Sequence, residues 1–188
     1  MQGWWVVSYV VLWLLVVVLC AVVVALARQI GTLHLRLGPR GALEIDDEGP
    51  ALGEPAPAAP VTEPDGRRVD AAEPGAARLL LFVSPGCRVC EQVLPGLQPV
   101  AEAAGLSALV ISDLDRFETD RAFGGRAQGV RVVSGPEVVR AWEVPGTPYA
   151  VVLDEKGAVR AKGTPSNLEQ LEGLVDSARR RAAVAGGQ

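Results

Sequence analysis

Histidine is almost absent from this chain and cysteine is scarce: 188 residues hold one His and three Cys. That excludes a conventional zinc finger. The only close pair of soft ligands, Cys87 and Cys90, supplies two of the four that a structural zinc site needs. No metal and no cofactor are expected. Charge is absent from the first 27 residues and uneven afterwards. Residues 1–40 carry three Arg and no acid, residues 41–75 carry nine acids and two Arg, and residues 76–188 carry thirteen of each. The net charge is −4 and no basic face stands out, so nucleic acid is not an expected partner. Aromatic residues make up only 5 % of the chain and 14 prolines interrupt it, yet Val, Leu and Ala are plentiful enough to exclude a disordered polymer. About 160 residues follow the apolar start, room for one globular domain and a linker.

The apolar start, residues 4–27, is long enough as a helix to span about 36 Å, sufficient to cross a hydrocarbon core with some tilt. Trp4, Trp5 and Tyr9 cluster near one end, as interfacial anchors do. Ala25-Leu26-Ala27 resembles a signal-peptidase site, but the run exceeds a typical signal core and no Lys or Arg precedes it. An uncleaved anchor is the favoured reading. Arg28, Arg36 and Arg40 follow the helix, which by the positive-inside rule alone places the rest of the chain in the cytoplasm. Cys20, preceded by Leu19 rather than a small residue, reads as a small hydrophobe and not as a lipid-bearing cysteine. His34 stands alone beside the apolar run and reads as a membrane-surface side chain.

Residues 28–54 read as a juxtamembrane segment and linker, and the wider stretch 49–77 is rich in Pro, Ala and Gly, the composition of a semi-stiff spacer. Asp65-Gly66 within it is a hairpin-turn dipeptide. The folded domain is therefore expected to cover residues 55–184, with its core starting near Ala76.

Past Ala76 strands and helices alternate. Arg78–Val83 is a buried-strand run closed by Ser84-Pro85-Gly86. Cys87–Ala104 follows with a helical apolar stripe that Pro95 is expected to kink. Leu106–Ser112 reads as a strand, Asp113–Gln128 as a polar helix, Val130–Val133 as a brief apolar stretch, and Pro136–Trp142 as one or two helical turns. Tyr149–Leu153 and Ala158–Lys162 read as strands joined by the tight turn Asp154–Gly157. Asn167–Arg181 reads as an amphipathic helix, with Asn167 as its N-cap and Arg179–Arg181 favourably placed at its C-terminus. This order predicts an α/β fold with a mixed sheet.

Cys87-Arg88-Val89-Cys90 sits after a buried strand and opens a helix. A thiolate there is stabilised by the helix N-terminus, and Arg88 adds positive charge that tunes it. A second thiol one turn along can attack a mixed disulfide formed at the first, which is the geometry of thiol–disulfide exchange. Half a zinc site has the same spacing, but no second pair exists in this chain. Fifty-eight residues after Cys90 comes Pro148, in the run VPGTPY, at the start of a strand where it cannot donate to a ladder. Either a cis bond or an ordinary edge-strand proline satisfies that position.

The words SPGCRVC, Pro95 five residues later, and Thr147-Pro148 before a β-hairpin and a last helix resemble the thioredoxin fold. The Pro-rich lead-in is similar to its membrane-anchored TlpA-type branch. More narrowly, ALARQIGTLH, GPRGAL, GPALGEPAP and LLLFVSPGCRVC resemble the MauD family of methylamine-utilisation proteins over nearly the whole chain. The resemblance implies a thiol:disulfide oxidoreductase on the outer side of the cell membrane, helping to form disulfides in the small subunit of methylamine dehydrogenase. It implies Cys87 as exposed nucleophile, Cys90 as resolving thiol, and Pro148 as a cis-proline facing the pair, with the Thr147 backbone offered to substrate. A protein thiol or disulfide is then the substrate, and an integral-membrane redox protein a further partner. Arg88 and Gly86 stand where the family often shows Pro and Thr. Leu81 stands where many relatives bury an acid, which leaves proton transfer to water or to a carboxylate such as Glu91.

Other classes fare less well. A copper-delivering module of this fold adds a downstream His, and this chain has none after His34. A peroxidase needs a Pro-x-x-x-Thr-x-x-Cys arrangement, absent here. A redox-inactive binding module and a reductant serving cytochrome c maturation remain the alternatives.

Overall fold

Leu79 to Val83 are buried on both sides of one strand, and that strand organises the rest. The computed structural model describes residues 2–36, 48–124 and 129–185. The chain divides into two units, residues 1–39 and 40–188.

The first unit is helix α1, Gln2–Arg36, and its stretch Gly3–Val22 is long and apolar enough to cross a membrane. Tyr9 and Trp13, one turn apart, meet edge to face at 6.4 Å between centroids. Cys20 is a free thiol on this helix. His34 lies on α1 too, and its side chain, like the juxtamembrane residues 37–47, is outside the described part of the chain.

The second unit is a seven-stranded mixed sheet with helices on both faces. Its strands are β1 (Pro60–Thr62), β2 (Arg68–Asp70), β3 (Arg78–Val83), β4 (Ser107–Ser112), β5 (Arg131–Ser134), β6 (Tyr149–Leu153) and β7 (Val159–Gly163), in spatial order β2-β1-β5-β4-β3-β6-β7. β3, β4 and β5 are parallel; β6 pairs antiparallel with β3, and β7 antiparallel with β6. The aliphatic, two-sided burial of β3 is what a central parallel strand requires.

Side-chain alternation sorts the core into two layers. Leu79, Leu81 and Val83 face helices α2 (Arg88–Ala103) and α5 (Leu168–Ala185), meeting Val93, Leu97, Leu171 and Leu174. Phe123 of α3 (Arg116–Phe123) joins the same layer. Leu80 and Phe82 face the other way, toward Val138 of α4 (Pro136–Ala141), Trp142 and Tyr149. Phe82 packs between the rings of Trp142 and Tyr149, at 5.7 and 6.1 Å.

α2 is a single helix that contains both Pro95 and Pro99. Where a polar helix over residues 113–128 is expected, α3 is shorter, because Asp115 caps it by accepting from the Glu118 N–H at 2.9 Å. Asn167 accepts from the Gln170 N–H at 2.9 Å, in the N-cap position expected of it. The helix it opens runs on to Ala185, so Arg179–Arg181 sit a turn before its end rather than in its last turn.

The larger difference lies in where the sheet begins. The linker is expected to run to residue 54 and the core to start near Ala76, yet backbone pairing with the sheet begins at Gly53. Gly53 N–H donates to the Val159 carbonyl and Val159 N–H to the Glu54 carbonyl, at 2.8 and 2.9 Å, along the outer side of β7. The chain then buries Ala59 against the Phe82 layer and forms the β1–β2 hairpin, whose Thr62 pairs with Ser134 of β5. The hairpin turns at the expected Asp65-Gly66, with Gly66 at φ +91°. The entry of this segment is clipped by the Glu48 carbonyl, which accepts from the Tyr149 hydroxyl at 3.2 Å and from the buried Lys162 ammonium at 2.8 Å. Gly49, at φ +76°, lies so close to the Tyr149 hydroxyl that a Cβ would collide with it. Backbone hydrogen bonding, to which Pro/Ala/Gly composition is blind, carries this segment.

Candidate active site

β3 ends at Val83, and Ser84, Pro85 and Gly86 turn the chain into α2. Gly86 sits at φ +75°, a conformation that favours glycine, and the Cys87 N–H closes the turn on the Ser84 carbonyl at 3.4 Å. Cys87 is the N-cap of α2. Its sulfur accepts from the Cys90 N–H at 3.1 Å, and its carbonyl accepts the first helical bond, from the Glu91 N–H, at 3.2 Å.

Cys87 and Cys90 are joined in a disulfide, with Cα atoms 5.3 Å apart. Their surroundings differ. Cys87 is half-buried, while Cys90 is 1 % exposed and packs in the α2 layer of the core. An incoming sulfur therefore has access to Cys87 and none to Cys90. Arg88 and Glu91 are both exposed on the first turn of α2.

The loop before β6 closes over the pair. The Thr147–Pro148 bond is cis, and the Thr147 carbonyl oxygen lies 3.5 Å from Cys87 Sγ. Thr147 is half-buried and Pro148 is buried. A stretch of 60 residues thus separates two groups in contact. The N–H of a partner strand is what a backbone carbonyl can accept.

Leu81 is fully buried in β3, so no acid lies at that point beneath the cysteines. Asp113, read from sequence only as the start of a polar helix, instead accepts from the Ser84 hydroxyl at 2.6 Å on the Cys87 turn. No short-range pattern signals this. Ser84 and Asp113 become neighbours because β3 and β4 are paired in register, Val83 against Ser112. Among the described residues, no group of three or more His, Cys, Asp or Glu gathers to hold a metal ion.

A half-buried cysteine at a helix N-terminus, a buried partner cysteine one turn on, and a backbone carbonyl against the first sulfur together allow thiol–disulfide exchange. No protein-family model matches the chain. It is 36 % identical over 174 residues to the methylamine utilization protein MauD of Methylorubrum extorquens, covering 90 % of this chain and 84 % of that one. Against MauD of Paracoccus denitrificans the identity is 36 % over 183 residues, covering 95 % and 91 %. Among solved structures, a thio-disulfide isomerase from Thermus thermophilus superposes with a TM-score of 0.53 at 28 % identity, over 68 % of this chain and 96 % of that one. The thioredoxin domain of a thiol-disulfide oxidoreductase from Bacteroides vulgatus gives 0.55 at 22 %, over 66 % and 98 %. By its relatives, its fold and its cysteine pair, the chain belongs to the MauD family of methylamine utilization proteins and is a thioredoxin-like thiol:disulfide oxidoreductase.

Proposed function

We propose that this chain is anchored by residues 4–27 and exchanges disulfides with a partner protein on the outer side of the cell membrane. The maturing small subunit of methylamine dehydrogenase is the substrate that the family resemblance favours. The observation that carries the reading is the unequal exposure of two bonded sulfurs under the Thr147 carbonyl.

In the oxidising direction a substrate thiolate attacks Cys87 Sγ, the reachable sulfur. The Cys87–Cys90 bond breaks and Cys90 leaves as thiolate. A second substrate thiolate then attacks the substrate sulfur of the mixed disulfide, and Cys87 leaves, its charge received by the Cys90 N–H and the start of α2. The substrate has lost two electrons and two protons, and the pair has gained both electrons. A membrane-embedded redox protein that generates disulfides is the class of partner that reoxidises it. Thr147 and Pro148 hold the substrate backbone beside Cys87, and Arg88 tunes the thiolate by its charge. The outer side suits a chain whose chemistry needs a persisting disulfide, although Arg28, Arg36 and Arg40 favour the opposite orientation.

The test is a trap. In Cys90→Ser the mixed disulfide formed at Cys87 has no resolving thiol. Covalent adducts that disappear with reductant should accumulate in cells producing the small subunit, and that subunit should be recovered from them. Adducts that form through Cys90 in a Cys87→Ser chain, and not through Cys87, would reverse the roles. Adducts lacking the small subunit would remove it as substrate.

A further inference from the structure

Among the described residues, two buried side-chain polar atoms have no hydrogen-bond partner: Trp142 Nε1, in the core, and Asp113 Oδ1, beside the cysteine turn. A buried carboxylate oxygen left unpaired is costly, so the position calls for a reason. The other half of the same carboxylate supplies one. Asp113 Oδ2 accepts from Ser84 Oγ at 2.6 Å, within the range of charge-assisted O–H···O⁻ bonds. The Asp113 N–H donates to the Val83 carbonyl at 3.3 Å, and the Ser84 carbonyl accepts from the Cys87 N–H at 3.4 Å. One residue of the β4 end thus holds the last residue of β3 and the first residue of the turn, and the turn holds Cys87. The two residues between, Pro85 and Gly86, are exposed.

We propose that Asp113 is a positioning residue for the exchange reaction: through Ser84 it fixes the turn that keeps the Cys87 sulfur facing the Cys90 N–H. This rests on the exchange reading above. Asp113 contacts neither sulfur through any of these bonds, so its effect is on where Cys87 sits and therefore on how well its thiolate is stabilised. It differs from the buried acid that Leu81 replaces, because the expected action is geometric and transmitted through a hydroxyl.

The experiment follows the pH dependence of Cys87 alkylation by iodoacetamide in the full-length, detergent-solubilised chain, with Cys20→Ser and Cys90→Ala as background. Asp113→Ala and Ser84→Ala should each move the midpoint upward. Below the midpoint each should slow the reaction about 2- to 3-fold, the roughly fivefold loss of thiolate carried by one net hydrogen bond being partly returned by the higher nucleophilicity. Asp113→Asn, whose amide oxygen still accepts from Ser84, should return the midpoint and rate to those of the parent. The double variant D113A/S84A should be no slower than either single one, since both remove the same bond. A midpoint that stays put in both alanine variants would overturn the proposal. So would a midpoint that falls in Asp113→Ala, which marks a charge acting directly on the thiol, and so would additive single effects. Melting curves report folding, and if Asp113→Ala does not fold, Ser84→Ala and Asp113→Asn carry the comparison. Failure of the exchange reading itself appears elsewhere, as an unmodified chain that does not oxidise or reduce any protein thiol pair.

Discussion

In the proposed exchange Cys90 gives Cys87 two separable things, a resolving sulfur and a backbone N–H, and substitution can divide them. Cys90→Ala keeps the N–H and Cys90→Pro removes it. Position 90 is the third residue of α2, where the amide has no helical partner to lose and proline is tolerated. The N–H points at Cys87 Sγ from 3.1 Å. With Cys87 as thiolate, this is a hydrogen bond to a charged acceptor, worth about 1.5–3 kcal/mol. At a fixed pH below the midpoint, that makes the thiolate about 10- to 150-fold more populated with the donor than without it. The less stabilised thiolate is also the better nucleophile, and a Brønsted slope of about 0.4–0.5 returns nearly half of the logarithmic difference. Cys90→Pro should therefore attack an aromatic disulfide reagent about 4- to 15-fold more slowly than Cys90→Ala. Both are assayed in a Cys20→Ser background by release of the chromophore, with circular dichroism to show that α2 persists. Equal rates in two folded proteins, or a faster proline variant, would refute the claim that this amide stabilises the nucleophile.

Alkaline phosphatase fused after Gln188 should be active, and activity restricted to a reporter that folds in the cytoplasm would remove both the outer location and the maturation role. Tyr149→Phe should cost about 0.5–1.5 kcal/mol, the worth of its hydrogen bond to Glu48, read by denaturant unfolding. Burial, and then the negative charge of Glu48, raise the Tyr149 hydroxyl pKa above its ordinary value near 10. The folded state thus holds this proton where the unfolded chain releases it. The corresponding stability is complete below about pH 10 and is lost as pH rises beyond it. Alkaline destabilisation should shrink in Tyr149→Phe, and a slope identical to that of the parent would contradict this linkage.

Periodicity made much of this fold legible. The RLLLFV run of β3, the stripe Val93, Leu97, Val100 of α2 and the Asn167 cap of α5 are local signals, and each element forms where its residues indicate. The closeness of the two cysteines was legible in their spacing, and the cis Thr147–Pro148 bond was one of the two readings that proline at a strand start offers. What stayed hidden depends on register between distant strands. Nothing near Ser84 announces Asp113, which comes alongside only when β3 and β4 pair. Nothing near Lys162 announces that its ammonium is buried against the Glu48 carbonyl. The pairing of Gly53 and Glu54 with β7, inside the expected linker, stayed hidden for a related reason. Ala, Pro and Gly bury little side-chain area, so a segment held through its backbone leaves no apolar pattern to read.

That backbone-held segment reaches both sides of the sheet, leaving β2 as the outer strand on one of them. Gly53 and Glu54 occupy hydrogen-bonding positions along β7, and fewer than ten residues later Thr62 does the same for β5 at the far side. Unpaired strand flanks template association with other chains, and proteins commonly guard each one separately. Here a single continuous ribbon runs along the two. A chain cut at Ala76, where side-chain packing alone would place the start of the core, would keep every residue of the cysteine pair and its turn. It would also bare β5 and β7 together, leaving a sheet with two open sides available for strand pairing.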